Sequence, residues 1–476
     1  MSTFSGLSTA LSSLIAQRQA LEVSGQNIAN ANTVGYTRQR ANLASVAANS
    51  APSMFSAGLQ VGNGTTVTGV ARLGDIFLDA RLRSETGSAS FAATKADAYT
   101  RLESTVAEPG DTGVSNALQT FWADWEKVGN SPGIAATRDV LLEDATALTQ
   151  RISAGAAAVG TQWSQTRTEL TSAITDVNST ATMIADLNDN IRNALVTGGS
   201  ANEMIDQRNV LVTGLSALVG ASGVERPDGT MDVMVNGNAL VRGNTAHAIA
   251  VNTDSATMGS DVTLTWAGTT AALGAQAGSI VGMVAALAPA QTTGNGGILA
   301  EAAASYDKLA TTLMNQVNTQ HASAVTTAGT PGGAVFSSST VAAGPPPVYS
   351  ALNLKVEITD SAQIAVGAAG HGSSDGSMGH TMAGLGSATD GPDAQWTAWV
   401  ADLGVTSRSA TQRAVITETT RTTAETLQMA NASVDVDEES ANMLTYQRAY
   451  EGAARVLTAI DEMLDTLINR TGVVGR

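Results

Sequence analysis

The sequence predicts a mainly α protein with β-rich middle material, its terminal helices paired as a coiled coil around a nested, multidomain body. Three observations carry this. Near the C-terminus, Met443, Tyr446, Tyr450, Ala453, Leu457, Ile460, Leu464 and Leu467 recur with gaps alternating three and four, the period of a helix that lies along another helix. The N-terminal stretch repeats the pattern at Leu7, Leu11, Leu14, Arg18, Leu21, Gly25 and Ile28. Between the ends the period switches from helical to alternating and back, so the chain runs outward and returns.

In chain order, the first helix spans Leu7 to about Ala31 and stops in Asn30-Ala31-Asn32-Thr33-Val34-Gly35-Tyr36, where Asn and Gly tolerate positive φ. Residues Phe55 to Leu73 alternate at Val61, Thr65, Val67 and Val70 and predict one β-hairpin. A helix follows from about Asp75 to Thr105, ended by Glu108-Pro109-Gly110. Residues 113–197 are predicted helical except for a break at Ser131-Pro132-Gly133, and the later helix is marked by Ile152, Trp163, Leu170, Ile174, Val177, Ile184, Leu187 and Ile191. A short helix runs from Glu203 to about Val219. Then Val224 to Gly237 alternates around Asp228-Gly229 and Asn236-Gly237, which is hairpin chemistry, and alternation continues at Val262, Leu264 and Trp266. Helix returns from Ile298 to Ala324. Residues 325–350, with Pro345-Pro346-Pro347, predict a loop; Leu352, Leu354, Val356 and Ile358 predict a strand; the Gly/Ser-rich 367–394 predicts a mobile segment. Helix resumes over Trp396–Gly404 and Thr406–Ala430 before the last helix. The nesting divides the chain into a terminal coiled-coil domain (1–40 with 430–476), a long-helix domain (41–205 with 281–335 and 395–429) and a β-rich outer domain (206–280 with 336–394).

Composition narrows the function. The 476 residues carry a net charge of −17, which argues against nucleic acid or an anionic membrane as partner, because both need clustered Lys and Arg. The ends differ in sign: residues 1–50 hold Arg18, Arg38 and Arg40 against Glu22, while 431–476 hold eight acids against four arginines. This favours pairing of the ends. There is no cysteine, so thiol catalysis and zinc–thiolate sites are excluded. The most apolar run, Ile280 to Ala290, is too short to span a bilayer and contains Gly282 and Pro289. The N-terminus lacks the basic and continuous apolar regions of a cleaved signal peptide.

No constellation of catalytic residues emerges. His247, His321, His371 and His380 lack metal-ligand spacing and are expected at the surface, the last two in the Gly-rich loop. Walker A, GxSxG and HExxH motifs are absent. Gly294-Asn295-Gly296-Gly297 predicts a plain helix start rather than an anion site. Asp435, Asp437, Glu438 and Glu439 open the last helix, where acids favour the N-terminus. Trp122, Trp125 and Trp163 are expected to pack within the helical region. The two seam tyrosines are half polar and suit either a core or a contact with another copy. Neither cofactor nor metal is expected. Two helices alone bury too little surface to offset their ordering entropy, so the ends are expected to be labile until other helices surround them.

Ser5-Gly6-Leu7-Ser8-Thr9-Ala10-Leu11, followed by Gln26-Asn27-Ile28-Ala29-Asn30-Ala31-Asn32-Thr33-Val34-Gly35-Tyr36-Thr37-Arg38-Gln39, resembles the N-terminal signature of bacterial flagellar axial proteins. The Tyr-Thr-Arg-Gln ending is similar to the hook-associated protein 1 branch. So are Ser433 to Asn442, Tyr446-Gln447-Arg448-Ala449-Tyr450, Asp206-Gln207-Arg208 with residues 224–243, and Asn315 to His321. Val34 stands where the family often has Pro. The resemblance implies a structural protein that is exported unfolded through the flagellar type III apparatus and polymerises helically at the hook–filament junction, its terminal helices lining the channel. It implies as partners further copies in a ring, the hook protein, the second junction protein and an export chaperone at the C-terminal region. The expected self-assembly residues are Leu7, Leu11, Leu14, Leu21, Ile28, Asn30, Asn32, Gly35, Tyr36, Met443, Tyr446, Tyr450, Leu457, Ile460, Leu464 and Leu467. Hook or distal rod protein shares the terminal signatures, although those proteins are mostly β between their end helices. An exported adhesin with axial-type ends is the remaining alternative.

Overall fold

The structure, a computed structural model, describes residues 3–47, 62–252, 257–342 and 348–470. The predicted Phe55, Val61 and Pro345-Pro346-Pro347 lie outside the described residues.

The two ends of the chain pack on each other. Helix α1 (Thr3–Ala29) packs along its length on the last long helix. A turn closes α1, with Thr33 N bonded to Asn30 O and Gly35 at φ 79°. Strand β1 (Gln39–Ser45) then pairs antiparallel with β2 (Thr65–Arg72), with a bulge at Asn42/Leu43, and this hairpin packs on α1. The hairpin is therefore not internal to residues 55–73, because its first strand begins directly after Arg38. That strand, Gln-Arg-Ala-Asn-Leu-Ala-Ser, has no β-branched residue, so propensity concealed it.

Helix α2 (Ile76–Val106) is capped by Asp75, whose carboxylate accepts from the amides of Phe77 and Leu78. Helix α3 (Val114–Asn130) ends at the Ser131-Pro132-Gly133 break. Helix α4 (Ala135–Val196) has 62 residues and is roughly 90 Å long. Leu141, Leu148, Ile152, Val159, Trp163, Leu170, Val177, Ile184 and Ile191 are buried along it at steps of seven or four, which makes it the spine of the molecule. Helix α5 (Asn202–Val219) stops at Gly220, whose φ of 67° caps the helix.

An antiparallel meander follows: β3 (Ser222–Glu225), β4 (Met231–Val235), β5 (Asn238–Arg242) and β6 (Thr245–Ala246), in that order. Asn236 and Gly237, both at positive φ, make its tight β4–β5 turn. A separate pair, β7 (Ile249–Val251) and β8 (Leu264–Trp266), leads to α6 (Ser279–Leu287) and α7 (Ile298–Ala322). The strands β9 (Phe336–Ser337), β10 (Thr340–Ala342), β11 (Val348–Tyr349) and β12 (Lys355–Val356) are short and pair two by two. The strand expected over 352–358 is mostly replaced by a 3-10 turn at Ala351–Asn353. Leu354 and Ile358 are buried but Leu352 is exposed, so the alternation had no continuous sheet face to serve.

The Gly/Ser-rich stretch holds a helix, α8 (Ser377–Gly384), which packs on α3. Glycine makes that packing close: a Cβ on Gly379 would lie 2.8 Å from Gly129 Cα. The expected mobile loop is thus docked structure over this segment. Helix α9 (Pro392–Ala432) continues through Gly404 without a break and lies antiparallel on α2, tied by Ser407 Oγ to Glu103 (2.7 Å) and Gln428 Nε2 to Asp79 (3.2 Å). Its inward stripe, Leu403, Ser407, Ala410, Ala414, Thr417, Arg421, Ala424 and Gln428, steps by four and three and is made mostly of small residues. The last helix, α10 (Val436–Asp465), is capped by Asp435 on the amides of Asp437 and Glu438.

The core centres on α3, α4 and α7, where Phe121, Trp125 and Phe336 stack with centroids 5.6–6.2 Å from Phe121. His321 is fully buried there, contrary to the expected surface position. Its Nε2 accepts from Ala365 N and its Nδ1 sits 2.7 Å from Gly333 O. Both nitrogens are used by the backbone, and burial pushes the ring toward its neutral form.

Candidate assembly surface

Four consecutive residues at the foot of α1 join the ends to the body. Tyr36 OH donates to Asn27 Oδ1 (2.9 Å), and its hydroxyl is pushed up to about 12 by burial and the carboxylates of Glu203, Asp206 and Glu439. The Thr37 amide donates to Asp206 Oδ2 (3.1 Å), and Arg72 binds both Asp206 Oδ1 (2.8 Å) and Thr37 Oγ1 (2.9 Å). Arg38 reaches the start of α10, donating to Glu439 Oε1 (2.7 Å) and to both oxygens of Glu438 (2.9 and 3.0 Å). Gln39 exchanges two bonds with fully buried Asn27 and meets Glu203 and Asn202. The Arg38 amide also donates to Ala432 O, and Leu73 N to Arg38 O. The hub therefore gathers the ends of α1 and α9, the hairpin, and the starts of α5 and α10.

Electrostatics reinforces the hub. The Arg38 guanidinium holds Glu438 below the ordinary carboxylate value, and hydrogen bonds to Glu438 and Glu439 raise Arg38. Among the described residues, opposite charges of the two ends meet here, Arg38 against Glu438 and Glu439. The acids at the start of α10 thus cap the helix through Asp435 and bind Arg38 through Glu438 and Glu439.

On α10 the seam lies on the sheltered side. Ile460 is buried, Met443, Tyr446, Ala453, Leu457 and Leu464 are half-buried, and Tyr450, and Leu467 in the π-helical turn Thr466–Arg470 that follows, are exposed at 40% and 54%. Gly6 makes room for Ile460, whose Cδ1 would sit 3.1 Å from a Cβ there. On α1 the seam is displaced by one residue. The sheltered stripe is Ala10, Ser13, Gln17, Ala20, Ser24 and Asn27, a heptad of small and polar side chains, with Ala16 buried beside it. Leu7, Leu14, Leu21 and Ile28 flank it half-buried, and Leu11 is 51% exposed. The leucines are not the inner seam because α1 must nestle against both α10 and the hairpin, and small side chains allow that approach. Ser12 illustrates it, lying 2.1 Å from where a Cβ on Gly64 would stand.

In the turn, Asn30 Nδ2 donates back to Gln26 O, Asn32 is exposed, and Gly35 lies over Val210 of α5. Val34 is 88% exposed. With Met183, Leu187, Val210 and Leu211 this turn walls a groove of about 670 Å³. Arg72, Asp206, Asn27 and Asn202 were not anticipated as hub residues. Asn27 and Asp206 both stand in recognised motifs, but the partners of Asp206 lie 134 and 169 residues away in sequence.

Comparisons give this geometry its context. At the ends, the model described as flagella basal body rod protein matches residues 7–37, and flagellar basal body rod FlgEFG protein C-terminal matches 428–470. These matches place the chain in the class of flagellar axial proteins. Between them, the flagellar hook-associated protein FlgK helical domain matches residues 99–336. The flagellar hook-associated protein 1 of Bacillus subtilis is 30% identical over 508 residues, covering the whole of both chains. That of Salmonella typhimurium is 32% identical over 250 residues, spanning 52% of this chain and 44% of its own. The flagellar hook junction protein FlgK from Burkholderia pseudomallei shares the fold, with a TM-score of 0.61 at 15% identity, covering 75% of this chain and all of that one. The chain belongs to the flagellar hook-associated protein 1 family, and it is a structural protein of the bacterial flagellum.

Proposed function

We propose that this chain polymerises as a ring of copies at the hook–filament junction, adapting one to the other, with α1, α10 and the 30–36 turn as the contacts between copies. The observation that carries this reading is the half-covered state of the terminal pair. Leu11 on α1, Leu444, Tyr450, Val456 and Met463 on α10, and Leu467 in the π-helical turn Thr466–Arg470 that follows it, remain exposed on helices held in place by the hub. Helices with exposed apolar residues on their outer sides gain from neighbours of the same kind. The sixteen expected contact residues named from the sequence are proposed here in that role, the seam ones through packing and Asn30, Asn32, Gly35 and Tyr36 through the shape of the turn.

The domain scheme follows: ends toward the channel, long helices around them, β-rich material outward. Its partners are the hook protein below, the second junction protein above, and an export chaperone at the C-terminal region before assembly. The chain reaches the outside through the flagellar export route, and no catalytic step, cofactor or metal enters its work. Among the described residues no helix is long and apolar enough to cross a membrane. Deletion of the gene tests the reading: cells with complete hooks, no filaments and flagellin shed into the medium are expected, whereas hookless cells would overturn it.

A further inference from the structure

We infer that the far end of α10 in one copy, Ile468 with the basic segment that follows it, seats in the groove beside the 30–36 turn of a second copy, so that copies join head to tail. The inference rests on the polymerising reading above and names which two surfaces meet. The groove lies at the hub end of the paired terminal helices. Its walls are Val34, Met183, Leu187, Val210 and Leu211, and it holds about 670 Å³. Val34, Met183 and Val210 are exposed, and exposed apolar residues gathered on one concave face mark a contact site. The charged residues that line the groove are all acids: Asp186, Glu203 and Asp206. Asp206 is held by Arg72 and Glu203 by Gln39, whereas Asp186 stands exposed on α4.

At the opposite end of the pair, Ile468 is 72% exposed in the turn Thr466–Arg470 that follows α10. The acids of α10 stop at Asp465. From Thr466 onward the sequence carries Arg470 and Arg476 with no acid, and Val473 and Val474 add apolar length. An apolar, cationic segment and an apolar, acid-rimmed groove are complementary. The exposed pair Ile76 and Phe77 is the rival occupant, but it stands between Asp75 and Asp79 and would set acid against acid. The contact cannot form within one copy. Helices α1 and α10 run antiparallel, with Gly6 beside Ile460 and Arg38 bound to Glu439. The 30 residues of α10 carry its far end about 45 Å from the hub, whereas residues 471–476 add at most about 20 Å when extended. The occupant therefore comes from another copy. Two different surfaces meet in such a contact, so it repeats from copy to copy, closing into a ring or continuing as a helix.

The test has two arms. A fluorescent peptide of residues 466–476 is titrated with the full chain and with its M183D and D186K variants, both changed at exposed positions of α4; a peptide of residues 74–80 is the acid-flanked control. The first peptide is expected to bind the parent, at least about tenfold more weakly in each variant, and the control not to bind. No binding of the 466–476 peptide, equal binding of both peptides, or an affinity unchanged in M183D and D186K overturns the inference. In the second arm, the absence of native cysteine lets the double variant M183C/I468C report on the polymer. Treated with a short bismaleimide, it is expected to give a ladder of crosslinked multimers, whereas T161C/I468C, changed on the exposed face of α4 away from the groove, gives none. Polymer that forms without a ladder overturns the head-to-tail contact and leaves polymerisation itself intact. A full chain that binds the peptide in the groove yet never polymerises supports the contact and counts against the ring.

Discussion

Tyr36, Thr37, Arg38 and Gln39 are four neighbours that tie three parts of the molecule together: Tyr36 and Gln39 bond Asn27 of α1, Thr37 bonds Asp206 of α5 and Arg38 bonds Glu439 of α10, each at 3.1 Å or less. Arg38 tests the hub most simply. Arg38→Gln strands Glu439, which is 3% exposed, so the folded state is expected to lose about 1.5–3 kcal/mol in chemical unfolding. The same contact has a pH signature. Glu438 is held below its ordinary 4.5 by Arg38, so its contribution is present above that pH and lost as pH falls through the lowered value. Hydrogen exchange at the start of α10 is expected to quicken on acidification below this point in the parent and to be pH-insensitive, after correction for intrinsic rates, in Arg38→Gln. Gly35 is the backbone counterpart. At φ 79°, with a new Cβ 2.2 Å from Val210 Cγ2, Gly35→Ala is expected to cost at least about 1 kcal/mol, and adding Val210→Ala should recover only part of it in thermal melts.

Large apolar side chains make the α3–α4–α7 contacts and small ones make the α2–α9 and α1–α10 contacts, and that difference decided what the sequence could reveal. The long helices were legible because Leu170, Val177, Ile184 and Ile191 keep a heptad step over a 62-residue element. The α2–α9 contact was not, because its α9 stripe of Ala410, Ala414, Thr417 and Ala424 has almost no hydrophobic contrast with the exposed threonines around it. The α1 seam was misplaced by one residue for the same reason: leucines draw the eye, but Ala10, Ala16 and Ala20 take the interior. Strand β1 and helix α8 were missed because neighbours, rather than local propensity, fix them. The pairing of β1 with β2 and the glycine crossing of α8 on α3 are tertiary effects. Close packing of small residues gives a direct expectation. Ala424, 1% exposed, has no room for growth, so Ala424→Leu should lower stability by about 1–3 kcal/mol, while Thr423→Leu on the exposed face should change it by less than about 0.5 kcal/mol. Equal effects of the two would show that α9 is not seated on α2 as described.

For the whole molecule, the two ends form the least enclosed layer and the helical body the most enclosed. The α3–α4–α7 core buries Leu118, Phe121, Trp125, Leu148 and Tyr306 almost completely, whereas Ile460 is the one buried member of the α10 seam among the described residues. The body is therefore expected to fold and persist alone, and the ends to be completed by other copies. Hydrogen exchange read across α1 and α10, in the monomer and again in the assembled junction, tests this most directly. The account predicts that amides of residues 5–28 and 443–465 exchange far faster than those of α4 in the monomer and slow by more than about tenfold on assembly. Protection of the ends that already equals α4 in the monomer, and does not change on assembly, would contradict it.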